Sequence, residues 1–326
     1  MRAGTGRLPL RPFGQTDLQV TPICFGTAAL GNMPDTYAQA VPEDQALATL
    51  RSAFDSPVNF LDTAASYGDG ESERRIGLVL RELGGLPNNL VLATKADRDL
   101  QTGDFSGEQI KRSVERSLRL LGLERLQIVH LHDPEHTTFE QVMAPGGPLQ
   151  VLQDLRDQGV IQHLGISGGP IDMLIRYVET GAFQAVVTHN RYTLLNRTAG
   201  PLIDLAARRG LAVLNAAPYG SGLLARGPEA YPRYAYQAAP ADVLARARQI
   251  AHVCQDFNVP LPATALQFSV RDPRITSTIV GPTHPDHVAE TLRLLEHPIP
   301  DALWPALEPL GAWSDDPEKD RWSHTR

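Results

Sequence analysis

The feature that most constrains this chain is a repeated alternation: eight short apolar runs, with segments of helical spacing between them. The runs cover 22–26, 59–62, 90–94, 126–131, 162–167, 185–188, 211–216 and 278–281. Their near-continuous Val, Ile and Leu content, without regular polar alternation, belongs to strands covered on both faces. Between them, Ile110, Val114, Leu118 and Leu121 recur on one helical face, as do Val243, Ala247, Ile250 and Cys254. Gly122, Gly159, Gly181 and Gly210 follow helical segments as stop signals, and Pro170 stands where a first helical turn would begin. Eight strand–helix units with no strand-only block predict an α/β fold, a (β/α)8 TIM barrel.

Ahead of the first strand, 8–13 and 18–20 flank Gly14-Gln15-Thr16-Asp17, which reads as an N-terminal β-hairpin able to plug the bottom of the barrel. Two connections are longer than a barrel requires: 133–148, and 220–242 with Tyr231, Tyr234 and Tyr236. Long loops on the C-terminal rim shape substrate pockets, and these tyrosines can stack on a ligand or simply pack. The tail from Pro298 reads either as a packed extension or as a partly mobile one. A length of 326 residues fits one barrel with insertions as well as two domains; the reading taken here is one domain, 1–326.

A net charge of −7 argues against nucleic acid or an anionic membrane surface as partner. No apolar run approaches the roughly 20 residues of a membrane span, and no signal core stands at the N-terminus. Cys24 and Cys254 are too few for a disulfide framework and read as buried thiols. Cytoplasm is the default location, and nothing in the sequence fixes an oligomeric state.

Four residues of distinct chemistry fall at or just beyond the C-terminal ends of three predicted strands: Asp62 and Tyr67, Lys95, and His132. If those strands are neighbours, a carboxylate, a phenol, an ammonium and an imidazole converge on the rim where α/β barrels place their chemistry. His130 points the same way one layer deeper and reads as a buried, hydrogen-bonded histidine. Asp133 is either a substrate hydroxyl acceptor or a loop-start residue. The pair His130-x-His132 with His189 also admits a metal-dependent hydrolase, although His163 falls near the bottom of its strand.

The segment Phe60-Leu61-Asp62-Thr63-Ala64-Ala65-Ser66-Tyr67-Gly68, followed by Glu71-Ser72-Glu73-Arg74-Arg75-Ile76-Gly77, resembles the signature of the aldo-keto reductase superfamily. Ala93-Thr94-Lys95, Leu121-Gly122-Leu123, Gly165-Ile166-Ser167, Arg191-Tyr192-Thr193-Leu194-Leu195, Ala217-Pro218-Tyr219-Gly220-Ser221-Gly222-Leu223-Leu224 and Ile279-Val280-Gly281 follow in the expected order. The resemblance covers nearly the whole chain. Within the superfamily, Phe25-Gly26-Thr27-Ala28-Ala29-Leu30-Gly31-Asn32 and His132-Asp133 look most like the aldose 1-dehydrogenase group, which oxidises sugars such as L-fucose, D-arabinose or D-galactose to lactones.

Hydride transfer between a nicotinamide and a carbonyl or hemiacetal carbon requires a proton to move at the attached oxygen. A phenol near pKa ~10 is a poor base at neutral pH, so an adjacent ammonium is expected to lower it. On this reading Tyr67 is the general acid/base, Lys95 tunes it, Asp62 holds Lys95, and His132 orients the substrate oxygen or shares the proton.

Gly68-Asp69-Gly70 is not a Rossmann fingerprint, because Glu73 occupies the third glycine. The resemblance implies instead a dinucleotide lying across the barrel mouth. Gly26 and Thr27 would flank it, Ser167 would touch the carboxamide, and His189 and Ala216 stand where the family often has Gln and an aromatic. Pro218, Tyr219, Gly220, Gly222 and Leu223 would hold the phosphates with the helix after Gly281, including His287 and Glu290. The segment Gly281-Pro282-Thr283-His284-Pro285-Asp286-His287 carries no Lys or Arg to neutralise a 2′-phosphate, so NAD is expected over NADP. Rival readings are an NADPH-dependent reductase of small aldehydes or ketones, the metal-dependent hydrolase, and a non-catalytic cofactor-binding barrel.

Overall fold

The computed structural model describes residues 7–319. A hairpin of β1 (Arg11–Pro12) and β2 (Gln19–Val20) comes first. Then follow β3 (Ile23–Gly26), β4 (Phe60–Asp62), β5 (Val91–Ala96), β6 (Leu126–His132), β7 (Ile161–Ser167), β8 (Ala185–His189) and β9 (Ala212–Ala216). A small hairpin, β10 (Arg233–Tyr234) with β11 (Gln237–Ala238), precedes β12 (Ser277–Val280). The parallel strands close in the order β12-β3-β4-β5-β6-β7-β8-β9. All eight expected strands are present, so the expected (β/α)8 barrel is the observed fold.

The two-residue period of each strand sorts its side chains. Phe60, Val91, Ala93 and Ile128 pack together in the barrel interior, whereas Leu61, Leu92, Ala96, Val129 and Leu131 pack outward against the helices. The same alternation carries Asp62, Lys95, His130 and His132 to the interior face. β5 and β6 run further than the apolar runs suggested, because Lys95 and Ala96 still pair with His130 and Leu131. Lys95 is therefore held by a ladder and not by a loop.

The hairpin closes the bottom. Phe13 is fully buried among the interior residues and meets the Phe60 ring edge-on at 5.8 Å. Burying such a side chain contributes roughly 1.5–3 kcal/mol. Gly14 makes this approach possible: with φ at +58°, a Cβ there would lie 2.7 Å from the Ala212 amide nitrogen. His163, near the start of β7, lies 2.9 Å from Asp17 of the hairpin turn, at the bottom as expected.

Helices cover the outside. In Gly107–Leu121, Ile110, Val114 and Leu121 are buried; in Ala241–Asp256, Val243, Ala247, Ile250 and Cys254 are. Gly122 and Gly210 have positive φ as helix stops. Pro170 is the cap preceding Ile171–Glu179, one residue ahead of the expected first turn. Both cysteines are free and buried. No helix among the described residues is long and apolar enough to cross a membrane.

The 133–148 connection contains a 3-10 turn, Pro134–His136, and a short helix, Phe139–Met143. The tail packs: Leu303 and Leu307 are buried, and the Trp313 amide donates to the Leu195 carbonyl at 2.7 Å. Its last seven positions lie outside the described residues.

Candidate active site

Lys95 sets the geometry. Its ammonium donates to Asp62 Oδ2 at 2.5 Å, to the Thr63 carbonyl at 2.7 Å and to the Tyr67 hydroxyl at 3.1 Å. Three N–H groups and three acceptors leave no donor unused. Lys95 and Asp62 are each 2% exposed, so the pair sits where water screens little. Because the Tyr67 oxygen accepts from Lys95, its own O–H is available to point elsewhere, and Tyr67 lines the cleft.

The sequence led us to expect that Lys95 would lower the Tyr67 pKa. Instead, burial pushes the phenol well above its ordinary value, and the Asp62 carboxylate adds to the rise. With Asp62 held 2.5 Å from the ammonium, the cation's field at the phenol is largely offset. Tyr67 is thus protonated at neutral pH.

His132 stands across from Tyr67, with the rings edge-to-face at 6.0 Å. Its Nδ1 lies 2.6 Å from Asp97 Oδ1, and its Nε2 lies 3.4 Å from Asp133 Oδ1. Burial pulls the imidazole down, but Asp133 and Asp97 more than offset this and hold it above its ordinary value. Asp97 escaped the sequence reading. It is two residues past Lys95, a spacing that places both on one strand face, and that was the available signal.

His130 is fully buried as expected, but not hydrogen-bonded: neither ring nitrogen has a partner among the described residues. Burial, with Lys95 and His132 nearby, holds it well below its ordinary pKa, so it is neutral. A neutral ring stays buried without an ion partner at a cost far below that of a charge. Opposite it, a Cβ on Gly165 would lie 2.0 Å from His130 Nδ1, so glycine is required there.

These groups open into a cleft of about 610 Å3. Gly26, Ser167, His189, Ala216, Pro218, Tyr219, Gly222, Gly281, His287, Glu290 and Asp133 all line it, together with Asp62, Tyr67, Lys95 and His132. Thr27, Gly220 and Leu223 do not. The Thr27 hydroxyl turns inward to the Asp62 carbonyl, Gly220 packs under the Tyr234 ring, and Leu223 is buried in an apolar cluster.

Two further residues went unnoticed in the sequence. Arg226, from the 220–242 connection, lines the far end; it donates to Gln39 Oε1 at 2.8 Å and lies over the Tyr231 ring at 4.8 Å. Glu318, from the tail, is fully buried and lies 2.8 Å from His189 Nε2 and 2.9 Å from Arg191. Arg191 is also fully buried and also pairs with Asp316 at 2.7 Å. Among the described residues, no three His, Cys, Asp or Glu side chains group as a metal site needs.

The donor set fits an extended, polar, anionic dinucleotide. Ser167, Ser221, Thr283, Arg98 and Arg226 line the cleft together with the small residues Gly26, Ala216 and Gly281. Its volume is that of a small-molecule or cofactor site.

Comparison with known proteins agrees with this geometry. The chain is 30% identical to D-threo-aldose 1-dehydrogenase of Pseudomonas sp over 316 residues, covering 89% of this chain and 94% of that one. It is 31% identical to L-galactose dehydrogenase of Arabidopsis thaliana (88% of each) and 28% identical to pyridoxal 4-dehydrogenase of Microbacterium luteolum (92% and 97%). The fold superposes on an aldo-keto reductase from Bacillus halodurans in its holo form with a TM-score of 0.76 at 24% identity, covering 96% of this chain and 99% of that one. The aldo/keto reductase family model matches residues 22–311. The chain belongs to the aldo/keto reductase family, oxidoreductases that act on small molecules with a nicotinamide dinucleotide.

Proposed function

We propose that this oxidoreductase oxidises an aldose at C1 to the aldonolactone, with NAD as hydride acceptor. The observation that carries the chemistry is the threefold engagement of Lys95, which ties Asp62 and the Tyr67 hydroxyl into one buried unit facing the cleft. Support for the sugar comes from two relatives named as aldose or galactose dehydrogenases, each about 30% identical. Ser167 and His189 would meet the nicotinamide end of the dinucleotide, and Pro218, Tyr219, Ser221 and Gly222 with Gly281 and His287 the rest. When bound, that group supplies the hydride acceptor.

The chain's own residues handle the proton. Tyr67 and His132 flank the position of the reacting oxygen, Lys95 fixes the phenol, and Asp62 fixes Lys95. Asp133 offers a carboxylate to a neighbouring sugar hydroxyl. NAD is favoured because residues 281–287 hold no Lys or Arg and include Asp286. Arg226 at that end is already engaged with Gln39 and Tyr231.

A second reading, reduction of small aldehydes or ketones with NADPH, is favoured by one observation: the raised Tyr67 pKa keeps the phenol protonated, as an acid should be. NADH formation against a panel of aldoses, with NADP in parallel, separates the two. Turnover of one sugar series with NAD supports the proposal. Silence there, with aldehyde reduction by NADPH, replaces it with the second reading. Binding of dinucleotide without turnover in either direction would make the barrel non-catalytic.

A further inference from the structure

We propose that Asp97 is a fifth member of this site: a positioning residue whose carboxylate captures His132 Nδ1, leaving Nε2 as the ring nitrogen that meets the substrate oxygen. The contact is short, 2.6 Å, and both side chains are buried. Asp97 is itself held from several sides. Its Oδ2 accepts from the Ser66 amide at 3.0 Å, its amide donates to Ser113 Oγ at 3.0 Å, and its carbonyl accepts from Gln109 Nε2 at 3.2 Å. These tie it to the loop that carries Tyr67 and to the helix Gly107–Leu121. A carboxylate so fixed can position an imidazole without rearranging when a substrate arrives.

The proton assignment follows from the donors. An ionised carboxylate only accepts, so the hydrogen of the 2.6 Å contact belongs to His132 Nδ1. Burial would push Asp97 up, but His132 and the Ser66 amide hold it below its ordinary value, so it remains ionised. The neutral ring then carries its lone pair on Nε2, on the side of Asp133 and the cleft.

In the oxidative direction, which this inference takes from the function proposed above, the substrate O–H bond breaks and its proton passes to Nε2. The ring becomes an imidazolium between Asp97 and the cleft. The C1–H bond breaks as hydride to the oxidised nicotinamide dinucleotide, so the sugar loses two electrons and the dinucleotide gains them. Tyr67, its pKa raised, donates a hydrogen bond to the same oxygen. Around His132, Asp97 and Asp133 favour its cation and Lys95 opposes it; Glu135, pushed up to about 8 by burial, adds to the first only once ionised, and His130 and Tyr67 are neutral.

The test compares wild type with Asp97→Asn by 15N-resolved histidine NMR, which needs no turnover, and then by rate. In wild type the neutral His132 ring should carry its proton on Nδ1. In Asp97→Asn its titration should move to lower pH, since a cation-favouring carboxylate is gone. If aldoses are turned over, kcat should fall about 10²-fold, within what a positioned acid or base supplies. KM and dinucleotide Kd should change less than about threefold, and the acid limb of the kcat profile should move to lower pH with the titration. A wild-type ring protonated on Nε2, or an unchanged His132 titration in a folded Asp97→Asn, overturns the inference. Should Asp97→Asn not fold, the wild-type tautomer alone decides. Absence of sugar turnover with the expected tautomer and titration would count against the substrate assignment and leave the role of Asp97 standing.

Discussion

The two ends of the cleft are built differently. At the end that holds Lys95, Asp62, Lys95 and His132 are buried on neighbouring strands, and each makes contacts of 2.5 to 2.6 Å with a charged partner. At the far end, the groove is lined by Gly222, Gly281, Pro282 and Thr283, with Arg226 exposed at the end of the short helix Leu223–Arg226. The first end works through a few side chains whose loss cannot be absorbed. The second works through backbone shape and many weak contacts. Chemistry demands fixed protonation states; holding an extended ligand does not.

The contrast is broken most severely at Lys95. Lys95→Met leaves Asp62 buried without its cation, which costs about 3–5 kcal/mol, and it removes the hydrogen bond that places the Tyr67 hydroxyl. Turnover should fall about 10³-fold, checked by kcat together with a denaturant midpoint. Near-normal turnover in a stable protein would dissolve the distinction between the two ends. Tyr67→Phe removes the hydrogen bond donated to the reacting oxygen and should lose about 10²–10³-fold in kcat while dinucleotide binding, followed by fluorescence, stays intact.

Gly165→Ala forces a methyl group against the His130 ring and should cost about 1–3 kcal/mol. His130→Ala in the same chain should recover part of that loss, measured as a double-mutant cycle.

A pH effect sharpens the picture further. Asp97 is held low and His132 high in the folded protein. The Asp97 contribution is complete above the unfolded carboxylate value, about 3.9, and is lost as pH falls through its lowered folded value. The His132 contribution is complete below the unfolded imidazole value, about 6.5, and is lost as pH rises through its raised folded value. The Tm gap between wild type and Asp97→Asn should therefore be widest at about pH 4–6.5 and narrow on either side. A gap independent of pH would remove the ion pair from the account.

The smallest effect belongs to the far end. Arg226→Ala should leave activity with NAD within about threefold, since the residue is exposed, and should weaken only what NADP binding there is. A tenfold or greater loss with NAD would show that this end, too, depends on one charge.

The barrel was legible because strands buried on both faces leave unbroken apolar runs, and because Gly122 and Gly210 mark helix ends wherever the chain is read. Asp62, Tyr67, Lys95 and His132 were legible for a related reason: each lies close in sequence to the strand that positions it. Asp97 was within reach, since Lys95-Ala96-Asp97 alternates about a strand, but the eye stops at the lysine. Thr27 misled because a residue at a strand end can turn inward as easily as out. Arg226 and Glu318 were not legible at all. Their partners, Gln39 and Arg191, are remote in sequence, and no local pattern encodes such a meeting.

Glu318 carries a consequence for synthesis. It meets Arg191 across 127 residues of chain. A nascent chain that has passed Val280 holds every strand of the barrel. It cannot yet neutralise Arg191 or hold His189, because Asp316 and Glu318 have not been made. Translation thus imposes an order in which every strand of the barrel is made before the two carboxylates that neutralise Arg191 and hold His189.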